Sequence, residues 1–147
     1  MAIDKTLYDR IGGRQTLDAV HKIFYDKVYA HPWMKLYFAD QPQEHLERQQ
    51  TSFMGQLFGG PRDFWGKAPK VAHQHMVITE ELFQLRSDLL RASLEEAGLA
   101  AGLIEEWMQA DATFRGVLVK ASAADCQLSY ATQSILDFPP PCARRPR

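Results

Sequence analysis

His73 and His75 are the only closely spaced pair among five histidines, and they are the natural place to look for a metal ligand. Side chains two residues apart on a helix point about 200° apart, so one ion takes at most one of them from a helical segment. On a strand the pair would be a fragment of a zinc site, but no HExxH, no CxxC and no nearby carboxylate pair completes it. There is also no GxSxG, no phosphate-cradling glycine loop and no dinucleotide fingerprint. Any chemistry therefore points to a bound cofactor. A haem iron asks for one neutral imidazole on a short helix and an apolar pocket opposite, and the chain has the parts for both.

The elements that must position such a histidine are helices. Asp4 can cap a first short helix that stops at Gly12-Gly13. A second carries Leu17, Val20, Phe24 and Val28 on one stripe, with Tyr25 beside it, until His31-Pro32. After an aromatic segment from Trp33 to Phe38, a helix from near Pro42 puts Leu46, Gln50, Phe53 and Leu57 on one face, and Gly59-Gly60-Pro61 stops it. Residues 62–70 read as an extended loop containing Gly66 and Pro69, followed by at most two turns around His73. Thr79 caps a long helix with Glu80 and Glu81 in its first turn, which ends at Gly98. Its stripes are Leu82, Leu85 and Leu89, and beside them Phe83, Arg86 and Leu90. A last helix carries Ile104, Trp107, Phe114 and Leu118. No segment alternates in the manner of a strand with hairpin turns, so the class is all-α.

A chain of 147 residues that is 46% hydrophobic suits one domain with a sizeable core. Its formal charge of −1 gives no field to attract nucleic acid or an anionic membrane. The start MAIDKTLYDR lacks an apolar signal core and no later segment approaches a membrane span, so a soluble, cytoplasmic protein is expected. Cys126 and Cys142 are expected as free thiols. From Phe138 to Arg147 the proline-rich tail cannot continue a helix or bury much, and its end is expected to be disordered.

Leu7-Tyr8-Asp9-Arg10-Ile11-Gly12-Gly13, Phe24-Tyr25, Tyr37-Phe38, Phe58-Gly59-Gly60-Pro61 and Ala72-His73 followed by Ile78-Thr79 occur in an order and spacing that resemble the truncated haemoglobins, closest to group I. The resemblance implies a two-over-two helical globin domain over residues 1–120 enclosing haem b, iron protoporphyrin IX. An extension over residues 121–147 has no counterpart in the family. It also implies that His73, five positions before the Ile-Thr pair, is the iron ligand and His75 is not. Tyr25 and Gln50 are then the side chains facing a bound ligand, Phe38 packs on the haem face, and Leu46 lies one turn before Gln50. Lys70 falls near the propionates. Phe53, Phe83 and Leu90 are core residues in any helical protein, and haem contact refines that role.

Several positions depart from the family pattern. Gln49 stands where some cyanobacterial relatives have a second iron-ligating histidine, so a pentacoordinate iron is expected. Pro69 replaces a usual methionine. Arg86 replaces a small apolar residue, and a buried guanidinium needs a partner; the expectation is that it reaches a propionate or solvent, or puts a charge beside the ligand. His45 is expected at the surface, and His21 has no evident partner.

The resemblance implies binding of dioxygen, NO or CO. Tyrosine and glutamine donors favour partly charged dioxygen over CO, and a hydrogen bond to a charged group is worth roughly 1.5–3 kcal/mol, about 10- to 150-fold in release. That suits sensing, or holding oxygen while NO attacks it. NO dioxygenation or peroxidase-like turnover needs an external reductase, since the chain has no reductase domain. The plain alternative is a cofactor-free helical interaction module in which the aromatics close a core, with Tyr25 half-buried and Gln50 on the surface.

Overall fold

The computed structural model describes residues 5–141. The helices are α1 (Leu7–Ile11), α2 (Gly13–Ala30), a 3-10 turn (Met34–Phe38), α3 (Gln43–Leu57), α4 (Pro69–His73), α5 (Glu80–Glu96), α6 (Ala101–Ala112), α7 (Arg115–Leu118) and a second 3-10 turn (Ala123–Asp125). Among the described residues β-structure is limited to two isolated parallel bridges, Met76 with Leu136 and Ile78 with Val119. No described helix is long and apolar enough to cross a membrane.

Five residues are too few for a helix to stand alone, so α1 depends on its ends and its neighbours. The Thr6 hydroxyl accepts from the Asp9 amide at 3.1 Å, and Gly12, at φ +106°, supplies the left-handed residue that closes the helix. The expected cap Asp4 lies outside the described residues. The Tyr8 amide bonds the Phe58 carbonyl at 3.0 Å, and its ring lies so close to Gly60 that a Cβ there would come within 2.5 Å. The glycine pair that ends α3 thus also seats α1.

The expected stripe of α2 is buried, with His21 and Tyr25 added to Leu17, Val20, Phe24 and Val28. α2 packs on α3 and on α5, and α5 packs on α6, which gives two helix pairs stacked on one core. Thr79 caps α5 as expected, its hydroxyl accepting from the Leu82 amide at 3.2 Å.

Three local expectations need correction. Leu57 is 47% exposed, because α3 turns Thr51, Met54 and Gly55 toward its neighbours and the stripe expected on α3 faces a cavity that ends before Leu57. The last helix is broken at Thr113-Phe114, where the Thr113 hydroxyl donates to the Ala110 carbonyl at 2.7 Å and competes with helix continuation. The tail does bury something, since the Phe138 ring meets Tyr37 edge to face at 5.1 Å. The expected disorder of the tail's end and the Cys142 thiol lie outside the described residues, and Cys126 is a free thiol.

Candidate functional site

A cavity of about 1160 Å³ lies between α2, α3, α4, α5 and the segment after α7, larger than the roughly 300–1,000 Å³ of ordinary ligand pockets. Tyr25, Phe38, Leu46, Gln50, Phe53, His73 and Arg86 all line it. Three residues expected at the cofactor do not. Lys70 is exposed on the outer side of α4, and the lysine at the cavity is Lys67. Phe83 and Leu90 are fully buried in the helical core. The longer Arg86 side chain on the same stripe reaches the cavity over Phe83, its guanidinium 5.9 Å from that ring.

His73 closes α4, and Pro69 opens it at a position where proline's missing amide is not needed. The His73 Nδ1 lies 2.7 Å from the Pro69 carbonyl. A carbonyl can only accept, so Nδ1 carries the proton and Nε2 keeps its lone pair. Burial pushes the His73 pKa down to about 4, against the Pro69 hydrogen bond that raises it and with Arg86 and Lys120 lowering it further. The ring is therefore neutral at physiological pH, with a basic nitrogen free.

His75 also lines the cavity, so the fold brings both histidines to it. Its Nδ1 is buried without a partner among the described residues, whereas the His73 ring is held in one tautomer by its hydrogen bond to Pro69. Such outer hydrogen bonds are what orient a ligating histidine and raise its basicity.

On α2 the Tyr25 ring is 7% exposed and held by Phe24 at 5.0 Å and Phe38 at 6.3 Å. Burial raises its pKa well above the ordinary tyrosine value, although Arg86 opposes this, so the hydroxyl stays protonated and able to donate. Among the described residues neither that hydroxyl nor the Gln50 amide has a hydrogen-bond partner, and both residues border the cavity. His45 is exposed and meets the Gln49 side chain at 3.4 Å.

The charge of Arg86 is answered by a residue the sequence reading did not consider. Its Nη1 and Nη2 donate to the two Asp111 oxygens at 2.6 and 3.0 Å, and Asp111 is buried. This bidentate pair replaces the expected outlets of Arg86 to a propionate or to solvent. A signal was present: Asp111 lies four residues after Trp107 and three before Phe114, so it shares their buried stripe. His21 likewise has a partner, with Nδ1 2.8 Å from the Thr51 hydroxyl and its ring edge-on to Trp107 at 5.9 Å. Leu136 and Phe138 complete the wall from beyond the expected domain.

Residues 6–119 match the bacterial-like globin family. The group 1 truncated hemoglobin of Tetrahymena pyriformis is 33% identical over 102 residues, covering 69% of this chain and 84% of that protein. That of Mycolicibacterium paratuberculosis is 32% identical over 101 residues, covering 69% of this chain and 74% of that one. Among solved structures, a mutant of the T. pyriformis truncated hemoglobin in the Fe(III) form aligns with a TM-score of 0.74 at 30% identity, covering 80% of this chain and all of that one. The 2/2 hemoglobin of a Synechococcus species, in the cyanomet state with covalently attached heme, aligns with a TM-score of 0.72 at 25% identity, covering 78% of this chain and 98% of that one.

Proposed function

Since the chain belongs to the group 1 truncated haemoglobins, within the bacterial-like globin family, we propose that it holds haem b in this cavity through His73 and takes diatomic ligands beside Tyr25 and Gln50. The observation that carries the reading is the Pro69 hydrogen bond, which leaves the neutral His73 ring with a free Nε2 at a large cavity wall. The residues present fit the group: one oriented imidazole, aromatic walls from Phe24, Phe38 and Phe53, and Lys67 as a cation for carboxylates. A cofactor-free module would close its aromatics over a core, and a cavity of this size bordered by unengaged polar groups argues against it.

Bound haem supplies an iron with an open position for dioxygen, NO or CO. The chain's own residues decide which ligand is kept. Tyr25 and Gln50 donate hydrogen bonds to a ligand that has drawn electron density toward itself, and CO gains little from them. Phe24 and Phe38 hold the Tyr25 ring so that its hydroxyl loses little freedom on donating. The pair supports retention of oxygen, as in sensing or NO detoxification. NO turnover to nitrate draws on an external reductase, whereas sensing needs only reversible binding.

Titration of the purified protein with hemin tests the ligand assignment. Native protein and His75→Ala gain the intense haem absorption band at the blue edge of the visible, and His73→Ala loses or shifts it. An unchanged band in His73→Ala, or none in native protein, overturns the proposal; loss in His75→Ala alone moves the ligand to His75.

A further inference from the structure

The segment from Cys126 to Phe138 lies beyond the family match, which ends at residue 119, yet it is built into the cavity wall. Gln127 donates its amide to the Gln74 carbonyl at 2.8 Å, Leu136 its amide to the His75 carbonyl at 2.9 Å, and Val77 its amide to the Leu136 carbonyl at 2.8 Å. These bonds hold the backbone on both sides of His75. The far end is fastened beside them, where the Trp33 indole donates to the Phe138 carbonyl at 2.8 Å and the Phe138 amide to the Tyr37 hydroxyl at 3.1 Å, and that hydroxyl also lies 3.4 Å from the Val77 carbonyl. Trp33 and Tyr37 are both buried. Leu136 and Phe138 face the cavity as apolar lining.

The helix so fastened is a weak one. α4 has five residues and follows an exposed loop, and an isolated helix of that length has no stability of its own. A chain bonded to Gln74, His75 and Val77 and then to Trp33 and Tyr37 braces the segment after α4 against the turn that Tyr37 joins to it. It also covers apolar surface that water would otherwise reach.

We propose that residues 126–138 form a strap that retains the cofactor: it walls the haem cavity along the 74–77 segment and the Trp33–Tyr37 turn and slows cofactor escape. This rests on the haem reading above. Opening the cavity then requires breaking the strap's hydrogen bonds and exposing Leu136 and Phe138, an added barrier to release.

The test uses the full chain loaded with hemin and mixed with an excess of a haem-scavenging apoglobin. Leu136→Pro removes the bond to His75, and Trp33→Phe removes the indole bond to the Phe138 carbonyl while keeping an aromatic ring and the Tyr37 bond. Both should release hemin faster, Leu136→Pro by about tenfold, the equivalent of roughly 1.4 kcal/mol. Ile135→Ser, on the exposed side of the strap, should match native protein. Amide exchange in the apoprotein gives an independent readout: Val77 exchanges faster in Leu136→Pro, with α2 and α5 unchanged. Native release rates in both variants, with the Val77 amide freed, overturn the strap alone. An unprotected Val77 amide in native apoprotein overturns it too. Failure of native protein to take up hemin instead sinks the haem reading, and the strap's role with it.

Discussion

Replacing Asp111 by asparagine removes the charge that answers Arg86 while keeping the side chain's size. The carboxylate is buried to 3% exposure and the guanidinium to 22%, and two hydrogen bonds of 2.6 and 3.0 Å join them. Breaking one side of a buried pair costs about 3–5 kcal/mol. Because Arg86 borders the cavity, water can reach part of its guanidinium, and asparagine keeps one acceptor, so the expected loss is at or below the low end, roughly 2–3 kcal/mol. For a chain of this size that lowers Tm by about 4–12 °C. Urea unfolding of the apoprotein followed by far-UV circular dichroism, with linear extrapolation, measures it. The double replacement Arg86→Leu with Asp111→Leu should recover most of the loss, because apolar residues carry no desolvation penalty. A change below about 0.5 kcal/mol in Asp111→Asn, the level of an ordinary surface substitution, or a double variant weaker than Asp111→Asn, refutes the reasoning.

Two further outcomes follow from the site. Tyr25→Phe and Gln50→Leu should each speed oxygen dissociation, by about 10-fold or more for a donor to a partly charged ligand, with CO dissociation nearly unchanged; stopped-flow ligand replacement reads both, and unaltered oxygen rates would remove these residues from the ligand site. Burial, with help from Arg86, lowers the His21 pKa to about 3 in the folded chain, against 6.5 for an ordinary histidine. Between those values the unfolded chain binds the extra proton, so this contribution to stability is full above the unfolded value and falls as pH drops, by up to about 1.4 kcal/mol per pH unit. His21→Gln should flatten the fall in apoprotein stability over that range, and an unchanged slope in urea unfolding at several acid pH values would show that His21 does not carry it.

Much of this architecture follows from local rules. Glycine at positions 12, 59 and 98, the Thr79 cap and the apolar stripe of α2 act within a few residues of themselves, so spacing is enough to read them. What failed was also local in appearance. Leu57 continues an apolar stripe, but that stripe serves a cavity and not the helix-helix contact. Thr113 interrupts a stripe that apolar spacing alone would carry through.

The site divides in the same way. Tyr25, Gln50, Phe38 and His73 were singled out by the resemblance to the family, position by position, and all four line the cavity. The sequence by itself therefore indicated most of the helices and the family resemblance, and through that resemblance the candidate ligand. Tertiary structure decided which groups answer one another: Asp111 for Arg86 across 25 residues, Thr51 for His21 across 30, and Phe138 for Trp33 across 105. Periodicity marks a residue as facing inward, but a buried charge or polar group is stabilised by whatever atom lies about 3 Å away, and chain spacing says nothing about which atom that is.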